Sequence, residues 1–385
     1  MAFDFLVPVE DKALAHCELL PPQALGKNIF KHTQRDGLPV LANASFAILG
    51  VNESRNAFEK KPEKLALVEI RIQLYKLMMG NWNVNIVDLG NVEEGETVED
   101  TYFVVKEITA ELLEENVIPI IIGATQDITY PTYRAFDRIK DLINLVSIDS
   151  RFDFGADEEL ISSHSYMSKI ITDKPNNLFN FSNIGYQSYF NAQEEIDLME
   201  RLFFDAYRLG EITSDITLAE PVLRNAHSVS LDMRAVKASE MGCPPQYSPN
   251  GFDGREICAI SRYAGMSENV AVFGIYEMEN TPQSCQLVAQ IVWYFMEGFN
   301  FRIAERPSAS SKDFTKFIVP TETEELIFYK SLLTHRWWVE VPPFTSPHTK
   351  SNPPALLPCT EQDYLDACDQ IIPERWFKAY KKGLN

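Results

Sequence analysis

The sequence predicts a three-layer α/β fold, helices packed on both faces of a mainly parallel sheet, with an extension at its C-terminal end. Three observations carry that expectation. Short apolar runs alternate with segments of helical period through the first three hundred residues. Three of those runs end in charged clusters: Val117-Ile-Pro-Ile-Ile-Ile-Gly-Ala-Thr-Gln126-Asp, Leu145-Val-Ser-Ile-Asp149-Ser-Arg151-Phe-Asp153 and Val229-Ser-Leu-Asp232-Met-Arg234. A chain of 385 residues at 45% hydrophobic content also has ample material for a core.

The elements follow in order. Phe46 to Val51 reads as the first strand, a helix through Leu65 to Leu77 follows, and Asn85 to Gly90 is a second strand. Thr101 to Glu115 is amphipathic, Val117 to Gly123 is a buried strand, Pro131 to Arg138 starts a helix, and Leu142 to Asp149 is another strand. The rhythm continues with a strand at Asn183 to Tyr186, a helix from Glu194 to Arg208, a strand at Ser228 to Leu231 and a helix from Gly254 to Tyr263. A strand at Val270 to Tyr276 and a helix from Pro282 to Phe299 complete it. The expected division is an N-terminal segment (1–45), an α/β domain (46–305) and a C-terminal extension (306–385). In the extension, Glu325 to Lys330 and Arg336 to Val341 read as two strands, Pro342 to Pro358 as a proline-rich loop, and Thr360 with Asp363 as the start of a helix. An aromatic segment, Pro373 to Tyr380, closes the chain. Trp337, Trp338, Trp376 and Phe377 either pack this extension onto its own domain or form a partner-binding surface.

Composition narrows the function classes. With 35 Lys and Arg against 55 Asp and Glu, the formal charge of −20 argues against nucleic acid or an anionic membrane as the main partner. The start lacks a basic segment followed by a long apolar one, and Gln286 to Phe299 is too short and polar to span a bilayer of about 30 Å. The expectation is a cytoplasmic protein without direct membrane insertion. Six cysteines at irregular spacing, with no Cys-x-x-Cys pair, fit reduced and mostly buried thiols. Cys243 has no histidine nearby in sequence, and Gly123-Ala-Thr-Gln126 lacks the lysine of a phosphate loop.

In a strand, side chains two apart share a face, so Asp149, Arg151 and Asp153 are expected to point together, as are Asp232 and Arg234. Such charges at the carboxyl ends of parallel strands lie where α/β folds collect ligands. With Asp88-Leu-Gly, Asn183-Ile-Gly, Gly254-Arg-Glu256 and Gly274-Ile-Tyr-Glu277, they resemble the ureohydrolase superfamily: arginase, agmatinase and formimidoylglutamase. The resemblance covers roughly residues 45 to 300 and implies an arginase-like fold.

That family carries Gly-Gly-x-His, Asp-x-His-x-Asp and Ser-x-Asp-x-Asp at strand ends, six residues that bind two manganese ions. By resemblance, Asp149, Asp153 and Asp232 match ligand positions, while Gln126, Arg151 and Arg234 stand where the family has His, His and Asp. Both arginines fall at one metal position. A divalent ion about 4 Å from a guanidinium would cost on the order of 8 kcal/mol at an effective dielectric near 20. That position is therefore expected to be empty, with the arginines forking onto the three aspartates in a metal-free network. The other position, formed by Gln126, Asp149, Asp153 and Asp232, is an all-oxygen set that suits a single Mn, Mg or Ca ion. Glu277 matches the family glutamate that receives the substrate's cationic group; its plainer reading is an acid paired with a neighbouring base. His164 falls near the proton-shuttle histidine of arginases, and its plainer reading is an ordinary loop residue.

The expected function is a catalytically degenerate ureohydrolase fold, without a metal cofactor, acting in binding or assembly as a homo-oligomer or with a protein partner on the C-terminal extension. The alternatives are an active C–N hydrolase of linear amidines using one metal or none, and a small-molecule sensor in which Arg151 and Arg234 hold an anion.

Overall fold

A computed structural model describes residues 2–59, 64–139, 142–155, 161–307, 312–322, 324–342 and 355–383. Its central ten-stranded sheet comprises β1 (Leu6–Val7), β2 (Ile29–Lys31), β3 (Phe46–Val51), β4 (Ile86–Val92), β5 (Ile118–Gly123), β6 (Ile143–Ile148), β7 (Leu178–Tyr186), β8 (Asp205–Arg208), β9 (Ser228–Asp232) and β10 (Val272–Tyr276). The strand order is β1-β4-β3-β5-β10-β9-β6-β7-β8, with β2 also paired to β4. Only β1 runs antiparallel to its neighbour.

Alternation along the strands divides the core into two layers. Phe46 and Ile48 of β3, with Ile120 and Ile122 of β5, pack among the helices Leu67–Lys76, Gly254–Met266 and Pro282–Phe299. Ala47, Leu49 and Ile121 face the other way, toward the helix Val98–Glu114. Because both faces are covered, these strands read as continuous apolar runs. The helix Pro282–Phe299 spans the residues its pattern predicts, with Pro282 in its first turn and the Thr281 hydroxyl accepting the Ser284 N–H at 3.1 Å. Thr281→Ala is expected to lower stability by about 1 kcal/mol, readable as a drop in the thermal midpoint.

The Asp88-Leu-Gly landmark has a structural role. Asp88 is fully buried and takes Nε and Nη2 of Arg71 at 2.9 and 3.0 Å and the Tyr75 hydroxyl at 2.7 Å. Gly90 has φ +82°, and a Cβ there would stand 2.0 Å from the Val7 carbonyl oxygen, so this turn demands glycine.

Three sequence expectations need correction. The helix expected from Glu194 to Arg208 is Gln193–Arg201; the chain turns at Phe203 (φ +55°) and then forms the edge strand β8. Phe204 is buried in the second layer, and that insertion breaks the helical pattern. The two strands expected in the extension belong to a four-stranded antiparallel sheet, β11 (Phe314–Pro320), β12 (Glu325–Ser331), β13 (Trp337–Val341) and β14 (Ala355–Cys359). Strand β14 takes up the last four residues of the stretch expected to be a proline-rich loop, Pro342 to Pro358, of which residues 343–354 lie outside the described residues. Pro358 is tolerated because β14 is an edge strand.

The third correction concerns the aromatic residues of the extension. Trp337, Trp338 and Trp376 are 4%, 5% and 1% exposed, which removes them as partner-binding candidates, while Phe377 is 43% exposed. Trp337 stacks on Phe317 and Tyr364, and Trp376 donates its indole N–H to the Glu340 carbonyl. The helix Glu361–Cys368 begins, as expected, in a Thr360–Asp363 capping box. Among the described residues, no helix is long and apolar enough to cross a membrane.

Candidate functional site

Strands β5, β10, β9 and β6 lie side by side in the sheet, and each delivers a polar residue at its carboxyl end. Gln126 follows β5 in a short 3-10 turn, Glu277 follows β10, Asp232 closes β9, and Asp149 follows β6. The topology thus sets in one row residues that are up to 151 positions apart. Gln126, Asp149 and Glu277 are fully buried; Asp153 and Asp232 are 3% exposed and Arg234 is 8% exposed.

The three aspartates are buried, and the arginine side chains do not fork onto them. Arg234 sends Nη2 to Oε2 of Glu277 at 2.7 Å and Nη1 to Nε2 of His164 at 2.6 Å. Only its backbone N–H meets an aspartate, Oδ1 of Asp232 at 2.6 Å. Arg151 donates Nη1 to the Phe190 carbonyl at 2.8 Å and lies over the Phe190 ring, while its backbone N–H reaches Oδ1 of Asp149. The two-residue rule fails because the strands end first: β6 stops at Ile148, Arg234 sits in a 3-10 turn, and Asp153 has φ +56°.

Glu277 and His164 therefore have roles that sequence reasoning left open. The second Glu277 oxygen, Oε1, accepts the Gln126 backbone N–H at 3.1 Å, and its backbone stands at φ +59°. His164 stacks on Phe58 at 4.3 Å between ring centroids. Burial, with the charges of Arg234 and Arg151, pushes the His164 imidazole down to about 4, so it is neutral near pH 7. A neutral ring lets Nε2 accept from Arg234. Burial alone would lower the pKa of Arg234, but Glu277 and Asp232 outweigh it and the guanidinium is held charged.

The aspartates are left short of donors. Among the described residues, Oε1 of Gln126, Oδ2 of Asp149 and both carboxyl oxygens of Asp153 are buried without a hydrogen-bond partner. Burial raises the pKa of Asp149, and burial with the Asp149 charge raises Asp153 well above the usual carboxylate range. The two carboxyls act on each other, and the Asp149 charge adds to burial in raising Asp153. Burial and the Asp149 charge likewise raise Asp232. Outside this row, a cavity of about 420 Å³ opens between Phe58, Arg151, Asp153, His164, Phe190 and Glu194.

The Arg234 guanidinium lies on Glu277 and His164 and that of Arg151 on the Phe190 carbonyl, and a guanidinium has no acceptor with which to ligate a cation. The orphaned oxygens of Gln126, Asp149 and Asp153 suit one hard cation in chemistry. Among the described residues, no three His, Cys, Asp or Glu side chains form a group that could hold an ion. Sequence reasoning also missed Phe58 and Phe190, whose only signal is that they are aromatic residues in loops.

A parallel sheet covered on both faces, with Gln126 and three acids gathered at four adjacent strand ends, fits a protein of the ureohydrolase class. The arginase family model matches residues 45–297, and the chain belongs to that family. Its fold is similar to formiminoglutamase from Trypanosoma cruzi, solved with Mn²⁺₂, at 15% identity over 73% of this chain and 99% of that one, with a TM-score of 0.63. It is similar to formimidoylglutamase from Bacillus subtilis at 17% identity, over 72% and 91% of the two chains, with a TM-score of 0.63. Agmatine ureohydrolase from Thermoplasma volcanium shares 17% identity over 68% and 91%, with a TM-score of 0.57. No curated protein sequence matches the chain.

Proposed function

We propose that this protein is a catalytically degenerate member of the arginase family that works by binding or assembly rather than by dimanganese hydrolysis. The observation that carries the reading is the Arg234 guanidinium on Glu277 and His164, a fixed positive charge inside the pocket. In a dinuclear site two adjacent ions generate hydroxide at neutral pH. Here the resemblance sets arginine at one of the two ion positions, and burial raises the pKa values of Asp149 and Asp153. The C-terminal extension is the proposed contact surface for a second copy or a protein partner, now through Phe377 rather than the buried tryptophans.

The test is metal content by elemental analysis after incubation with excess Mn²⁺ and desalting, with an Arg151→His, Arg234→Asp, Gln126→His triple variant alongside. The expected outcome is no stoichiometric manganese in the wild type and a gain in the variant. One or two retained ions per wild-type chain, or manganese-dependent release of urea, ammonia or formamide from a guanidino or formimino compound, would overturn the proposal.

A second reading is favoured by the orphaned oxygens of Gln126, Asp149 and Asp153. It is a hydrolase of linear amidines, of the kind that formiminoglutamase and agmatine ureohydrolase name, using a single oxygen-bound ion. A third, favoured by the cavity beside Arg151 and His164, is a small-molecule sensor. A rise in melting temperature with an amino acid or carboxylate, lost in Arg151→Gln, separates it from the scaffold reading.

A further inference from the structure

The C-terminal sheet docks on the α/β domain through a buried arginine remote from the strand-end site. Arg224 ends the helix Ala219–Arg224 and is 7% exposed. Its Nη2 donates to the Trp337 carbonyl of β13 at 3.1 Å and to the Cys359 carbonyl of β14 at 3.3 Å, and its guanidinium lies 4.5 Å over the Trp338 ring. One oxygen of Glu220 is 3.3 Å from Nη2, and the other is 3.1 Å from Nε of Arg336. A single carboxylate therefore serves two guanidiniums.

The remaining donors of Arg224 are idle. Among the described residues, Nε and Nη1 are buried and find no acceptor. Arg224 lines a cleft of about 230 Å³ together with Arg306, Arg336, Asn269, Trp338 and Pro358. Two carboxylates, Glu268 and Glu305, also line it. Glu305 is engaged by the hydroxyls of Ser331 and Thr334, and Glu268 acts on the charge of Arg302. Burying guanidinium N–H groups without acceptors is costly, and charge-assisted bonds to an oxyanion are the strongest remedy. The volume lies below the about 300 Å³ at which sites for drug-sized ligands begin, so the cleft matches a small ion.

We propose that this cleft binds a small oxyanion, a phosphate or short carboxylate, between Arg224 and Arg336 with Arg306 at the rim, and that the anion strengthens docking of the C-terminal sheet. The site is separate from the strand-end pocket and independent of its reading. The test is calorimetric titration of the full chain with inorganic phosphate and, separately, glutarate, with thermal unfolding in each anion against sodium chloride at equal ionic strength.

Saturation at one anion per chain, with a higher unfolding midpoint than in chloride, is the expected result; which probe binds names the ligand class. Arg336→Gln should weaken binding by about tenfold or more. Arg306→Gln, on the exposed rim, should weaken it while leaving the anion-free midpoint unchanged, which keeps the test valid if the first variant folds poorly. Failure of both anions to saturate at millimolar concentration, or equal affinity in both variants and the wild type, would overturn the proposal.

Discussion

Arg234→Ala is expected to destabilise the protein by about 3–5 kcal/mol, because it leaves the fully buried Glu277 carboxylate without its guanidinium. The pair lies at the centre of the strand-end row. Adding Glu277→Gln to that variant removes the stranded charge and should recover much of the loss, since contacting residues are not additive. The measurement is the urea midpoint of the wild type, both single variants and the double variant. An Arg234→Ala protein as stable as the wild type would show that Glu277 is not held by this arginine. Millimolar methylguanidine should raise the melting temperature of Arg234→Ala and leave the wild type unmoved, because only the variant has a vacant guanidinium position.

The same contact sets a pH dependence. The His164 pKa is about 4 when folded against an ordinary 6.5, so between those values the unfolded chain binds the extra proton. The His164 contribution is fully present above pH 6.5 and is lost as pH falls toward 4. Without the Arg234 charge the imidazole should titrate higher, which an NMR titration of His164 reads directly.

Asp153→Asn should act in the opposite direction, stabilising the metal-free protein at neutral pH by about 1–3 kcal/mol. Both carboxyl oxygens of Asp153 are buried beside Asp149 without a donor among the described residues, whereas an amide brings N–H groups of its own. Asp149, Asp153 and Asp232 all have raised folded pKa values. Their contribution to stability is therefore present at acid pH, below the unfolded value of 3.8, and is lost as pH rises through the folded values. Denaturant titrations with a chelator and with added Mn²⁺ decide the matter. If Asp153→Asn is less stable than the wild type in chelator, the three acids are compensated in some other way. If Mn²⁺ stabilises only the wild type, Asp153 holds a cation and the single-ion reading gains.

Much of the architecture was legible because its signals are local and repeated. Strands buried on both faces are largely apolar, so β3 and β5 announce themselves as apolar runs, while β6 and β9 mix Ile, Leu and Val with the buried Asn144, Ser147, Ser228 and Ser230. Caps such as Thr281 and the Thr360–Asp363 box mark helix starts within a few residues. Edge strands β8 and β14 carry weaker patterns, since much of their stability comes from one neighbour's hydrogen bonds, and both were missed or misread.

The sequence by itself indicated an alternating α/β sheet and set Asp149, Asp153 and Asp232 at or just beyond the carboxyl ends of its strands, because apolar runs mark strands and charges mark where they stop, while the family followed from the resemblance of its motifs. Only the tertiary structure decided what those charges touch. Arg234 and Glu277 are 43 residues apart and meet because β9 and β10 are neighbours in the sheet. The face rule that would have placed Arg151 and Arg234 on the aspartates holds only while the backbone stays extended, and at each of these strand ends it does not.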